Sequence, residues 1–282
     1  MITSHIVKKY IRTQSKTLNI NPNIVLRMIM FDFFLEKLDL SRFSDKFVIK
    51  GGFLISSTTK INLRTTMDLD ITLKGLPIDQ QSLTKCLEEI LSIKTIDNLD
   101  MSLAMLNDIR DSADYPGVRA TINILYDGIK ETLKIDFTTG DIMTPSEVLF
   151  SHRTFVESKI LSLKSYNYET IIAEKLETII TRSTLNTRMR DFYDIYILWK
   201  LTQKMMKEEI LEKAFIETMN YRNSLSIKLD NILQILINVE NDLNIISLWK
   251  SYQNSYPYAK DVQWNKVIES IRTILSNMSN LQ

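Results

Sequence analysis

Apolar and polar residues alternate in short runs through the first half of this chain and recur at helical spacing through the second. Residues 67–73 read M-D-L-D-I-T-L, which puts Leu69, Ile71 and Leu73 on one face of a strand and Asp68, Asp70 and Thr72 on the other. Residues 118–126 (V-R-A-T-I-N-I-L-Y) alternate in the same way. Asp127-Gly128 is a hairpin signal, and residues 132–137 (T-L-K-I-D-F) return as the antiparallel partner. A shorter run, Phe47-Val48-Ile49, predicts a strand that enters Gly51-Gly52. Helical spacing predicts helices over 4–17, over a segment capped by Asn23 and carrying Ile24, Leu26, Ile29, Met30, Phe33 and Leu35, and over 53–58 and 77–92. From Tyr168 onward it predicts helices over 171–180, 191–201, 208–221, 226–246 and 262–278.

The turn-forming residues sharpen this division. All six glycines lie between positions 51 and 140, and four of the five prolines precede position 146. The expectation is an α/β domain with N-terminal helices over 1–145 and an α-helical domain over 146–282, joined by a linker near 145–164. A length of 282 residues is enough to bury a sizeable core, and 44% hydrophobic with 24% charged residues belongs to a globular chain rather than a disordered one. A formal net charge of +1 gives no whole-chain attraction to polyanions, so any such site must be a local patch. The single cysteine, Cys86, cannot form an internal disulfide, and the basic N-terminal segment has no apolar core of a signal peptide. The richest apolar stretch, 25–38, is interrupted by Arg27, Asp32 and Glu36, so no membrane span is expected and a cytoplasmic location is. Only two histidines, His5 and His152, are present, which argues against His-rich zinc sites and most Ser-His-Asp hydrolases.

Carboxylates and lysines are therefore the expected tools. In Lys50-Gly51-Gly52-Phe53 a strand ends, two glycines turn the chain and a helix begins, an arrangement that lets backbone N–H groups approach a phosphate. Arg64-Thr65-Thr66-Met67-Asp68-Leu69-Asp70 then presents two carboxylates at strand positions i and i+2, hence on one face. Two like charges on one face favour a shared cation, and Mg²⁺ takes one or two carboxylates plus substrate phosphates. Asp136, between Ile135 and Phe137, is the expected third carboxylate, with Asp141 as the alternative. Three carboxylates, metal ions and a phosphate cradle describe nucleotidyl transfer from an NTP.

The helical half carries a second constellation. Lys175 and Arg182 are seven apart and share a helix face, as do Asp191 and Asp194, three apart. One reading is a structural ion-pair network; the other puts Lys175 on the triphosphate, with Arg182, Arg188 and Arg190 holding nucleotide or RNA. Arg110, Arg119 and the basic N-terminal helix are further candidates for phosphate contacts.

Lys50-Gly51-Gly52, then Arg64 to Asp70, then Ala173-Glu174-Lys175-Leu176, then Arg190-Asp191-Phe192-Tyr193-Asp194-Ile195-Tyr196 together resemble the AbiEii/AbiGii toxin family of nucleotidyltransferases. The resemblance implies an α+β chain: a polymerase-β-like nucleotidyltransferase domain with a mixed sheet, then an α-helical domain bringing Lys175 and Asp191 or Asp194 to the cleft. It implies Asp68 and Asp70 as metal carboxylates, Lys175 as the nucleotide-phosphate lysine, and Asp191 or Asp194 as the later catalytic acid. By the same resemblance Lys50, Gly51, Gly52, Arg64, Thr66, Arg182 and Arg190 are expected around the nucleotide. Thr66 stands where the family often has serine, and Phe53 where a small or polar residue is common. The expected cofactor is Mg²⁺, with Mn²⁺ as a substitute, and the substrate an NTP, with GTP or CTP as candidates. The implied setting is a toxin–antitoxin pair linked to abortive phage infection, with a winged-helix antitoxin and an RNA acceptor such as the tRNA 3′ end. Two other functions remain open on the residues alone: a catalytically silent nucleotide-binding module, and transfer to a protein or small-molecule acceptor.

Overall fold

The structure, a computed structural model, describes residues 2–59, 64–110, 116–224 and 229–278. Helix α1 (Ser4–Leu18) starts at Thr3, whose hydroxyl accepts the Ile6 amide, and stops at Asn19 in the left-handed region, φ 51°. Its Lys8, Lys9, Arg12 and Lys16 are exposed. Helix α2 (Pro22–Asp39) is capped by Asn21, which accepts the amide of Asn23, so the expected cap at Asn23 moves upstream and Pro22 takes the first turn, where it needs no donor. Its middle is apolar nearly all round, with Met28, Ile29, Met30, Phe31, Phe34 and Leu35 all fully buried, as befits a helix enclosed in the core.

Seven strands among the described residues form one sheet: β1 (Phe47–Lys50), β2 (Leu69–Leu73), β3 (Leu99–Arg110), β4 (Pro116–Tyr126), β5 (Ile129–Thr139), β6 (Val148–Arg153) and β7 (Ile160–Ser165). Their spatial order is β3-β4-β5-β2-β1-β7-β6. The β1–β7 and β2–β5 pairs are parallel and the others antiparallel, so the sheet is mixed, as expected. Helices α3 (Gly51–Thr59) and α4 (Gln80–Ser92) follow β1 and β2. Asp79 caps α4, which therefore starts after the Pro77 of the expected helix. On the core side of the central strands Phe47 and Phe137 meet edge to face, with centroids 5.7 Å apart.

Two differences from the sequence reading have local causes. Strand β3 was not expected; its register shifts between Leu103 and Met105, which breaks the alternation that marks a strand. The segment 145–164, expected as a linker, instead carries β6 and β7, and the first compact unit continues to Ser165. Edge strand β6 exposes Val148 and Leu149, so it lacks the apolar-in, polar-out pattern of a half-buried strand. What fastens it is polar. His152 is 1% exposed and bonds Asp32 of α2 at 2.6 Å and the Ser57 hydroxyl of α3 at 2.5 Å. The Phe155 amide adds a 2.5 Å bond to the other Asp32 oxygen.

The chain divides into two compact units, one comprising Met1–Ile61, Thr65–Asp141 and Glu147–Ser165, the other Asn62–Arg64, Ile142–Ser146 and Tyr166–Gln282. The second is helical: α5 (Tyr168–Arg182), α6 (Met189–Thr202), α7 (Glu208–Tyr221), α8 (Leu229–Asn241), α9 (Leu243–Ser255) and α10 (Trp264–Ser276). Asn167 caps α5 by accepting the Thr170 amide. The single helix expected over 226–246 is two, because Asp242 accepts the amides of Asn244 and Ile245 and starts a new helix there. Phe192, Trp249 and Trp264 build its aromatic core, with centroids 5.2 Å apart for Phe192–Trp264 and 5.5 Å for Trp249–Trp264. Among the described residues no helix is long and apolar enough to cross a membrane.

Candidate active site

Strand register assembles the acidic residues of the first unit. Lys50 pairs with Asp70 across β1 and β2, Asp70 with Asp136 across β2 and β5, and Asp136 with Arg119 across β5 and β4. Four strands thus set a row of charges, positive, negative, negative, positive, on the sheet face opposite Phe47 and Phe137. Asp68 lies one residue before β2 and is exposed, while Asp70 is half-buried.

The glycine turn serves this row directly. Gly51 has φ +62°, and a Cβ there would stand 2.2 Å from Asp70 Oδ2, so both the backbone conformation and the space require glycine. The Gly52 backbone amide, in the first turn of α3, favours the charged form of the Asp70 carboxyl. The side chain that faces the turn is thus the Asp70 carboxylate. Burial raises the Asp70 carboxyl above the usual range; Lys50 and the Gly52 amide pull it down, and repulsion from Asp136 and Asp68 pushes it further up. Thr66 fastens the strand entrance: its hydroxyl accepts the Asp68 amide at 3.3 Å and donates to the Asp68 carbonyl at 3.1 Å. Phe53 points into the core against Phe31, centroids 5.7 Å apart, and so does not crowd the turn.

The ends of the row are engaged differently. Lys50 donates to Asp141 and to the Thr138 hydroxyl, each at 2.8 Å, and Thr72 and Thr138 donate to Asp141 at 2.6 and 2.5 Å. Burial alone would raise Asp141, but Lys50 and the two hydroxyls hold it below the usual carboxylate range. Asp141 is therefore committed to Lys50, and of the two candidate third carboxylates it is Asp136 that lies beside Asp70. Arg119 grips Asp136 with two bonds of 2.6 Å, Nε to Oδ1 and Nη2 to Oδ2. Among the described residues no three carboxylate, His or Cys side chains stand close enough to hold a metal ion between them. Asp68 and Asp70 remain as a pair of hard oxygen donors, which fits Mg²⁺ completed by substrate phosphates, while Asp136 is taken by a guanidinium.

The Arg119–Asp136 pair was missed in the sequence, although a signal existed. Counting outward from the Asp127-Gly128 turn, with Tyr126 opposite Ile129, brings Arg119 opposite Asp136.

In the helical unit Lys175 Nζ lies 2.7 Å from Asp191 Oδ1 and 2.9 Å from Asp194 Oδ2. Arg64 pairs with Asp194 through Nε at 3.1 Å and Nη2 at 3.3 Å, and Arg188 with Asp191 at 3.3 Å. The structural ion-pair reading thus describes this network, in which, among the described residues, Arg64, Lys175 and Arg188 pair with Asp191 and Asp194. Burial works against the Lys175 charge, but Asp191 and Asp194 outweigh it and raise the ammonium above its usual value. Burial likewise would raise Asp194, and Arg64 with Lys175 brings it below the usual range. Arg190 donates to the Tyr256 hydroxyl at 3.1 Å and lies over that ring, 5.3 Å from its centroid. Arg182 closes the last turn of α5, where its charge faces the negative end of the helix dipole.

Residues 34–277 match the family model described as nucleotidyl transferase AbiEii toxin of a type IV toxin–antitoxin system. Compared by sequence with curated proteins, the chain matches none. Among solved structures it is similar to MenT4, a nucleotidyltransferase toxin from Mycobacterium tuberculosis, with a TM-score of 0.56, 12% identity and 99% of each chain covered. It is also similar to JHP933 from Helicobacter pylori, with a TM-score of 0.50, 14% identity, and 93% of this chain and 94% of that chain covered. At these identities the structural likeness shows the fold.

Proposed function

The chain belongs to the AbiEii family of nucleotidyl transferase toxins, and on that premise we propose that it transfers a nucleoside monophosphate from an NTP to an RNA 3′ end, the tRNA acceptor end foremost. The observation that carries this reading is the charge row, in which Asp70 and Asp136 are register neighbours and Gly51 leaves the room that the Asp70 carboxylate occupies.

Asp68 and Asp70 would hold Mg²⁺, or Mn²⁺ in its place. Bound there, the cation would neutralise triphosphate charge and activate the attacking hydroxyl. In the transfer the RNA 3′ hydroxyl gives up its proton to water and its oxygen bonds to the α-phosphorus in line as the bond to the β-phosphate oxygen breaks, and pyrophosphate leaves. Lys175 is the proposed triphosphate ligand, kept charged by Asp191 and Asp194, and Arg182, Arg188 and Arg190 are proposed contacts to nucleotide or RNA. Lys50, Gly51, Gly52, Arg64 and Thr66 act in this reading as positioning residues. Lys50 holds Asp141, Gly51 leaves room for Asp70 and the Gly52 amide favours its charge, Arg64 holds Asp194, and Thr66 fixes the Asp68 backbone. The proposed setting is abortive phage infection, with a co-encoded winged-helix antitoxin as the restraining partner and the cytoplasm as the compartment.

One observation favours a silent nucleotide-binding module instead, the Arg119 grip on Asp136. Incubating the purified chain with each α-labelled NTP, Mg²⁺ and total tRNA separates the two. Label on RNA that disappears with Asp70→Ala is expected; no transfer to RNA from any of the four nucleotides would overturn the reading.

A further inference from the structure

The charge row has two cationic ends, and they are not equivalent. Lys50 is anchored: its ammonium is shared between Asp141 and Thr138, and its side chain is only 14% exposed. Arg119 is 38% exposed, and its strongest contact is the pair of bonds to Asp136. Arg119 belongs to β4, one strand beyond the acidic pair, and a long flexible side chain there can change partner without any backbone movement. What it holds is the carboxylate that adds repulsion to Asp70. A guanidinium carries one positive charge; a divalent ion shared by Asp68, Asp70 and Asp136 would carry two and relieve the repulsion among all three. The same planar fork that grips a carboxylate in two places fits two oxygens of a phosphate.

Resting on the nucleotidyltransferase reading, we infer that Arg119 is a partner-exchanging residue of the nucleotide site. It holds Asp136 while the site is without substrate. When a nucleoside triphosphate arrives with its divalent cation, Arg119 gives Asp136 to the cation and takes phosphate oxygens in exchange. No covalent bond changes in this step; one ion pair is traded for two. The exchange explains why, among the described residues, no three-carboxylate ligand set is closed although the register aligns Asp136 with Asp70. It also ties completion of the metal site to the presence of substrate.

The inference predicts two effects of opposite sign from one substitution. In the full chain, Arg119→Gln should bind Mn²⁺ alone about tenfold more tightly than wild type, followed by calorimetry or by the Mn²⁺ electron paramagnetic signal, because the competing cation is gone. The same variant should bind NTP in the presence of Mg²⁺ about tenfold more weakly. Arg119→Lys should lie between the two, since an ammonium cannot grip two oxygens at once. Should Arg119→Gln not fold, Asp136→Asn tests the exchange from the other side: Mn²⁺ affinity falls, while affinity for metal-free NTP rises as Arg119 is released. Equal Mn²⁺ affinity in wild type and Arg119→Gln, or a fall in the variant, overturns the exchange and leaves the nucleotidyltransferase reading standing. Absence of Mn²⁺ binding in both overturns the exchange together with the metal site it depends on.

Discussion

Asp70 is the residue on which function and stability pull in opposite directions. Its carboxyl is raised by burial first, and repulsion from Asp136 and Asp68 adds to that. Keeping a charge there therefore costs the fold free energy, which the proposed cation would relieve. Asp70→Asn removes the charge and keeps the size and shape of the side chain that faces Gly51. The expected outcome is a melting temperature a few degrees higher in divalent-free buffer, with transfer reduced by roughly 10²–10⁴. Differential scanning calorimetry beside the labelled-NTP assay checks both halves, and a lower melting temperature would show that the carboxylate stabilises the fold. The glycine that faces Asp70 allows a sharper dissection. Gly51→Ala carries two burdens, the positive φ and a Cβ 2.2 Å from Asp70 Oδ2. The first should cost about 1 kcal/mol and the second more. Adding Asp70→Ala should recover the second part alone, so in urea titrations the double variant is less destabilised than additivity predicts.

At the scale of elements, what could be read in the sequence followed the pleat. The alternation at 67–73 placed Asp68, Asp70 and Thr72 opposite Leu69, Ile71 and Leu73, and the Asp127-Gly128 turn fixed the register of β4 on β5 to the residue. The order β5-β2-β1 that brings Asp136 beside Asp70 was not legible, because parallel pairing is decided by how distant strands pack and no turn encodes it. Strand β3 hid behind its register shift, and β6 and β7 behind exposed apolar residues that mimic a linker. The β6–β7 hairpin is held by the buried chain Ser57–His152–Asp32, with the Phe53 ring 5.2 Å and the Phe155 ring 6.0 Å from the imidazole centroid. His152→Ala leaves the Asp32 carboxylate buried with the Phe155 amide and empties a space among those rings. A loss of about 2–4 kcal/mol is expected in urea unfolding. Hydrogen exchange should localise the loosening to 148–165, and an unchanged exchange pattern there would mean that apolar contacts alone seat the hairpin.

At the scale of the whole molecule, a net charge of +1 conceals strongly charged local sites. Composition could say only that a polyanion site must be a patch; the ion-pair network around Lys175 depends on Arg64 meeting Asp194 across 130 residues of sequence, which no local pattern encodes. The sequence left the ion-pair and phosphate readings of Lys175 equally open, and the ion pairs to Asp191 and Asp194 hold its ammonium in place under either. Acidification offers a way to weigh its structural part. Burial pushes the Asp194 carboxyl up, but Arg64 and Lys175 outweigh that and its folded value lies below the unfolded one. Between those two values the unfolded chain binds more protons than the folded one, so this group's stabilisation is complete above the unfolded value, about 4. It fades as pH falls through the depressed folded value. Asp194→Asn removes the pH-dependent part and leaves Arg64 and Lys175 facing one carboxylate fewer, at an expected cost of about 3–5 kcal/mol near neutrality. Urea midpoints of wild type and variant, followed from pH 7 downward, should therefore lie far apart at first and converge as the solution turns strongly acidic. Curves that stay parallel over the whole range would mean that Asp194 holds no stabilising charge.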